Sequence, residues 1–174
     1  MGALFAAAGA TLVEHIGVAG LDVLDVATGT GNTARAAARA GARRVVGVDA
    51  TPALLAEATR RSVADGTEIE WQEGDMEDLA LADASFDRVL SSFGAMFATD
   101  QHHMAAELER VCRPGGRVGL TAWAVVSARF PSPEAAVELF ETRAAPIMAA
   151  QRRSRPSVAG TTPGPPWSGC SARR

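Results

Sequence analysis

The stretch VLDVATGTGN, Val23 to Asn32, constrains the fold of this chain more than any other. A run of apolar and β-branched residues reads as a buried strand, and it breaks at two glycines, Gly29 and Gly31, separated by a single residue. Asn32 or Thr33 then suits the cap of a helix running from Thr33 to Ala40. A second apolar run, RRVVGVD at 43–49, ends on Asp49, twenty positions after Gly29. Strand, glycine turn, helix and strand make a βαβ unit. Such a unit needs a parallel sheet with helices on its faces.

The alternation continues on both sides of this unit. Leu4, Ala8, Leu12 and Ile16 are spaced for an N-terminal helix, and strand one spans roughly Asp22–Ala27. TPALLAEATRRSVAD opens a helix with Thr51 as N-cap and Pro52 at its first position. EIEWQEGD (68–75) and FDRVLSSF (86–93) read as strands three and four. DQHHMAAELERVC is a helix stopped by RPGG (113–116), where Pro114 followed by Gly115 suits a type II turn. RVGLTAWAVV (117–126) is strand five. These elements place one domain at 1–126, a helix at 127–150 and a disordered basic tail rich in Arg, Pro, Gly and Ser at 151–174.

Charge separates the body from the tail. All twenty acidic residues precede residue 142, whereas 151–174 carries five arginines and no acid. An acidic body argues against a nucleic-acid partner. No apolar run approaches the roughly 20 residues that span a bilayer, so no integral membrane segment is expected. The N-terminal MGALFAAAGATLVEHIG lacks a basic leader and includes Glu14 and His15, which points to a cytoplasmic protein. Cys112 and Cys170 are too few for a disulfide framework or a metal cluster.

Gly29, Gly31 and Ala34 satisfy the pattern G-x-G-x-x-A, and Asp49 stands where a carboxylate accepts from both hydroxyls of a ribose. NAD, FAD and S-adenosylmethionine enzymes all share these features. Asp25 discriminates among them. It lies near the carboxyl end of strand one, where open α/β sheets bind ligands. Against a pyrophosphate it costs on the order of 1–4 kcal/mol in like-charge repulsion, whereas against an ammonium it is favourable. S-adenosylmethionine offers an α-ammonium, a sulfonium and no phosphate, and its carboxylate suits the amides that open the following helix.

Four blocks, VLDVATGTGN, VVGVDATPALLAEA, WQEGDMEDLALADASFDRVLSSFGAMFA and ELERVCRPGGRVGLTAW, occur in this order between about residues 10 and 125. In them the chain resembles the class I S-adenosylmethionine-dependent methyltransferases, near the small-molecule group that includes ubiquinone and menaquinone biosynthesis enzymes (methyltransferase type 11 domain). The resemblance implies a Rossmann-like three-layer α/β sandwich with a parallel sheet of about five strands in the order 3-2-1-4-5. The cofactor, S-adenosyl-L-methionine, would lie across the carboxyl ends of strands one to four. Asp25, Ala27, Gly29, Thr30 and Gly31 would surround its methionyl part, and Asp49, with Ala50 beside it, the ribose. Asp75 would accept from the adenine amine, the Met76 amide would face the adenine edge, and Ser92 would form a floor under the methionyl chain. The partner implied is a small-molecule methyl acceptor.

Plainer roles compete at several positions. Asp75 can be a turn acid, Met76 a core filler, and Ser92 a donor to a neighbouring carbonyl. Phe93, Met96 and Phe97 suit either an acceptor pocket or the core. His102 and His103 suit solvated helix positions better than a general base. Ala27 replaces a glycine common among relatives, which is tolerable if its φ stays negative. No catalytic residue is named by the sequence, because methyl transfer from a sulfonium asks mainly for positioning and a dry site.

Members of the class usually have seven strands, and five are recognisable here. The sequence therefore reads as a truncated or frame-disrupted relative, with a natural short protein as the alternative. The last two strands are expected to be missing, and the strand-five edge to be open and prone to self-association. Cofactor binding is expected with little turnover. The rival readings are a cofactor-binding fragment without activity and an NAD-dependent oxidoreductase supported only by the glycine pattern.

Overall fold

The computed structural model describes residues 2–122. The expected helix at 127–150, the tail at 151–174 and the end of the expected fifth strand lie outside the described residues. The elements in chain order are α1 (Gly2–Ile16), β1 (Asp22–Val26), α2 (Asn32–Arg39), β2 (Arg44–Asp49), α3 (Pro52–Asp65), β3 (Glu70–Glu73), β4 (Phe86–Ser92), a 3-10 turn (Ala95–Phe97), α4 (Gln101–Val111) and β5 (Cys112–Thr121). The five strands form one parallel sheet in the order β3-β2-β1-β4-β5. This is the expected order.

β1 is central, and all five of its residues are buried. Its side chains alternate between two cores, as a strand covered on both faces requires. Leu24 and Val26 join Val46, Val48, Phe86, Val89, Met104, Leu108 and Val111 on the α4 side. Val23 joins Val13, Ile16, Val18, Ala34, Ala37, Val45 and Leu90 beneath α1 and α2. The period of two therefore puts Asp25 on the α2 side of the sheet, with Val23. α1 crosses α2 at close range: a Cβ on Gly9 would sit 2.7 Å from Thr33 Oγ1.

At the opposite end of the sheet, Asp22 is buried and paired with Arg43 and Arg113, and Asp87 with Arg113. This network ties the starts of β1 and β4 to the entry of β5. It holds the Asp22 carboxyl down at about 2, chiefly through the Arg43 hydrogen bond.

Three details differ from the sequence expectation. α2 starts at Asn32 behind Gly31, whose φ is 75°, and its N-cap has no side-chain bond, so neither Asn32 nor Thr33 caps it. β3 is shorter than expected, Glu70–Glu73. β5 begins at Cys112, and the RPGG segment bulges between the Phe86–Cys112 and Arg88–Arg117 pairs. Gly115 has φ 79°, as the second central residue of a type II turn requires. Among the described residues β5 pairs with β4 alone, and Val118 and Leu120 are 43% and 50% exposed.

Candidate functional site

The carboxyl ends of β1, β2 and β4 converge where the strand order reverses, the place open α/β sheets bind ligands. β1 contributes Asp25 and the loop from Ala27 to Gly31. β2 contributes Asp49 and Ala50, and β4 contributes Ser92, Phe93 and Gly94.

Asp25 is 1% exposed. Its Oδ2 accepts from Thr28 Oγ1 at 2.6 Å and from the Ala34 amide at 3.0 Å. The carboxylate thus serves α2 as a cap delivered from the neighbouring strand, in place of the side-chain cap that Gly31 cannot supply. Its other oxygen, Oδ1, is buried and has no hydrogen-bond partner among the described residues. Burial pushes the carboxyl up to about 7, against the lowering effect of the Thr28 and Ala34 bonds, and the nearby Asp49 charge adds to the rise.

Asp49 is 7% exposed and holds the loop. Its Oδ2 accepts from the Gly29 amide at 2.8 Å and its Oδ1 from the Thr51 amide at 2.9 Å. Each carboxylate oxygen has a second lone pair, so these bonds leave acceptor capacity for a diol. Ala50 beside it is exposed.

The two loop glycines answer to different demands. Both have positive φ, 58° at Gly29 and 75° at Gly31. A Cβ on Gly29 would meet nothing within 4 Å, so its Cβ direction is open space. A Cβ on Gly31 would lie 2.5 Å from the Trp71 ring and 3.2 Å from the Ala58 methyl. Trp71 of β3 also covers Gly47 of β2. Gly31 is thus required by the core, and Gly29 is the glycine that leaves room for a ligand. Thr30 turns its hydroxyl toward α3, where Arg61 donates to Oγ1 at 3.3 Å, leaving the Thr30 backbone to border the loop.

Ala27 corrects an expectation: its φ is 53°, not negative. The residue sits in the left-handed region, at a cost of about 1–2 kcal/mol for an L-residue. Gly94 explains the close quarters, since a Cβ there would clash with the Ala27 methyl and come within 3.0 Å of the Ala27 carbonyl. Phe93 is a second left-handed residue, at φ 61°, and its ring meets Phe5 of α1 edge-on at 5.3 Å. Two such residues on adjacent strand ends mark this as the strained part of the sheet.

The other residues expected at the site have local neighbours of their own. Asp75 Oδ1 accepts from the Glu77 amide at 3.0 Å, a turn bond of the plainer kind anticipated for it. Met76 is half-buried against the α4-side core. Ser92 Oγ pairs with Thr121 Oγ1 at 3.0 Å across β4 and β5, a side-chain partner where a carbonyl was anticipated. His102 and His103 are exposed, and their amides are capped by Asp100. Thr28 and Trp71 shape the site in ways the sequence did not show, and of these only Thr28, inside the glycine loop, carried a local signal. Phe93, expected in an acceptor pocket or the core, packs its ring on Phe5 of α1.

The fold defines a Rossmann-like domain with two buried carboxylates, Asp25 and Asp49, at the strand ends where such sheets bind ligands. The family described as "Methyltransferase domain" matches residues 23–116, more than half of the chain. The chain belongs to this family, and S-adenosylmethionine is the cofactor of its class. Two uncharacterized proteins of Mycobacterium tuberculosis are 44% and 45% identical over 116 and 121 residues, covering 66% and 69% of this chain. A demethylmenaquinone methyltransferase of Thermus thermophilus is 39% identical over 112 residues, 64% of this chain and 48% of its own length. The chain spans less than half the length of these curated relatives, 42% and 44% of the two mycobacterial proteins. Among solved structures, an S-adenosylmethionine-dependent methyltransferase of Mesorhizobium loti is 28% identical with a TM-score of 0.58, over 64% of this chain and 51% of that one. The YcgJ protein of Bacillus subtilis is also 28% identical, with a TM-score of 0.62 over 66% and 49%.

Proposed function

We propose that this domain binds S-adenosylmethionine at the β1–β2–β4 ends and serves methyl transfer to a small molecule. The observation that carries the reading is the buried Oδ1 of Asp25, which has no hydrogen-bond partner among the described residues and lies on the strand that leads into the glycine loop. A buried carboxylate oxygen without a donor is unfavourable alone and favourable beside an ammonium. Asp49 has spare acceptor capacity for the ribose hydroxyls while fixing Gly29 and Thr51. Asp75, the Met76 amide and Ala50 border the expected adenosine end, and Gly31, Thr30 and Ser92 the methionyl end.

When bound, the cofactor supplies a methyl group already activated on a sulfonium. The protein's part is then to orient the acceptor in line and exclude water, which contributes about 7–11 kcal/mol in well-oriented reactions. The menaquinone-type relative and the acidic body both support a small-molecule acceptor over a nucleic acid. Among the described residues β5 has a strand neighbour on one side only, and the exposed Val118 and Leu120 support self-association through it. Among the described residues no helix is long and apolar enough to cross a membrane.

The test is radiolabelled methyl transfer from S-adenosylmethionine to quinol, phenol and amine acceptors. Transfer to a quinol or phenol supports the reading. Tight cofactor binding without transfer to any acceptor supports the rival of a binding domain without turnover.

A further inference from the structure

Resting on the cofactor reading above, we propose that Asp25 exchanges a proton for the cofactor's ammonium, so that binding releases a proton to solvent. Below about pH 7 the ligand-free protein holds Asp25 as a neutral carboxylic acid. Arrival of the ammonium at Oδ1 converts it to a carboxylate, and the displaced proton leaves to water. No other bond forms or breaks.

The geometry supports this from several sides. Oδ2 is engaged by the Thr28 hydroxyl and the Ala34 amide, so a new donor must use Oδ1. Among the described residues, the elements around Asp25 supply no compensating cation. β2 presents Gly47 directly opposite and Asp49 two residues on, β4 presents Leu90 and α2 presents the Ala34 amide. Among the described residues Asp25 has no arginine or histidine hydrogen-bonded to it, and the charge acting on it is the anionic Asp49. An anion buried beside another anion, with one oxygen unpaired, takes up a proton until a cation arrives. The carboxyl's rise to about 7 agrees with this and sets the range in which the exchange is visible.

The measurement is titration calorimetry of the full chain with S-adenosylhomocysteine, in buffers of different ionisation enthalpy, between about pH 5.5 and pH 8. S-adenosylhomocysteine retains the amino-acid end, and 5′-methylthioadenosine, which lacks it, is the control. The expected result is release of close to one proton at about pH 6, falling to half near pH 7. S-adenosylhomocysteine affinity should rise up to about tenfold per pH unit below pH 7 and level off above it. Methylthioadenosine should release far less. Asp25→Asn keeps the bonds to Thr28 and Ala34 but has no proton to lose, and its affinity should not vary with pH. Should that variant fail to fold, Thr28→Val tests the same point, because losing a donor to the ionised form should move the release curve to higher pH. Binding with no proton release, or equal release from both ligands, overturns the exchange and leaves the cofactor reading standing. No binding at any pH overturns both.

Discussion

The backbone amide of Gly29 donates to Asp49 Oδ2 at 2.8 Å, joining the glycine loop after β1 to the last residue of β2. The same carboxylate holds the Thr51 amide just ahead of α3. One side chain therefore fixes both the glycine loop and the entry to α3, and in the proposed cofactor complex it would also meet the ribose. Asp49→Ala should remove both roles. S-adenosylhomocysteine affinity should fall tenfold or more, about 1.5–3 kcal/mol, in a protein that still unfolds cooperatively. Unchanged affinity by calorimetry would take Asp49 out of the site.

The two loop glycines should separate binding from folding. Gly29→Ala strains a left-handed residue but meets no neighbour, so it should cost about 1 kcal/mol in stability and a larger fraction of ligand affinity. Gly31→Ala adds a clash with Trp71 to the same strain and should destabilise the ligand-free protein more severely. Urea denaturation of both variants checks the order. Equal losses in the absence of ligand would contradict it.

Ala27 predicts a gain. Its φ of 53° is one that glycine adopts freely. Ala27→Gly should stabilise the protein by about 1 kcal/mol, read as a higher urea midpoint at constant slope. A loss would mean that the Ala27 methyl packing against Gly94 outweighs the strain.

Stability should depend on pH through two aspartates of opposite sign. Asp25 titrates at about 7 in the fold against about 3.8 when unfolded, so the native state binds the proton more tightly. Its contribution is complete below about pH 4 and is lost as the pH rises toward 7, by on the order of 3–4 kcal/mol in the ligand-free protein. Asp22, held down at about 2 by Arg43 and Arg113, contributes above about pH 4 and is lost as the pH falls toward 2. The joint contribution of these two groups should therefore be greatest near pH 4. Asp25→Asn should flatten the decline between 4 and 7, as chemical denaturation across this range would show.

The sheet was legible because βαβ alternation and apolar strand runs are local patterns, and the parallel order follows from them with the family resemblance. Asp49 was legible for the same reason, since its distance from Gly29 is set by one strand–helix–strand unit. Asp25 was found by its charge within an apolar run, but its bonds to Thr28 and Ala34 depend on how the chain folds back at the loop. The signs of φ at Ala27 and Phe93 are set by the crossing of β1, β4 and α1, contacts that no window of sequence contains. The glycine pattern assigns Gly31 to ligand approach, whereas its nearest constraint is Trp71, forty positions later. RPGG was recognised as a turn, but its inclusion in a bulged β5 required the register with β4.

Thermal unfolding with S-adenosylhomocysteine, with NADH as the parallel ligand, tests the central claim most directly. A site that binds the cofactor only in the folded state should raise the melting temperature with ligand concentration, equivalent to about 2.7 kcal/mol at a hundred times the dissociation constant. S-adenosylhomocysteine should give this rise, Asp49→Ala should give a smaller one at the same ligand concentration, and NADH should give none. A shift with NADH alone, or none with S-adenosylhomocysteine at millimolar concentration, would contradict the claim.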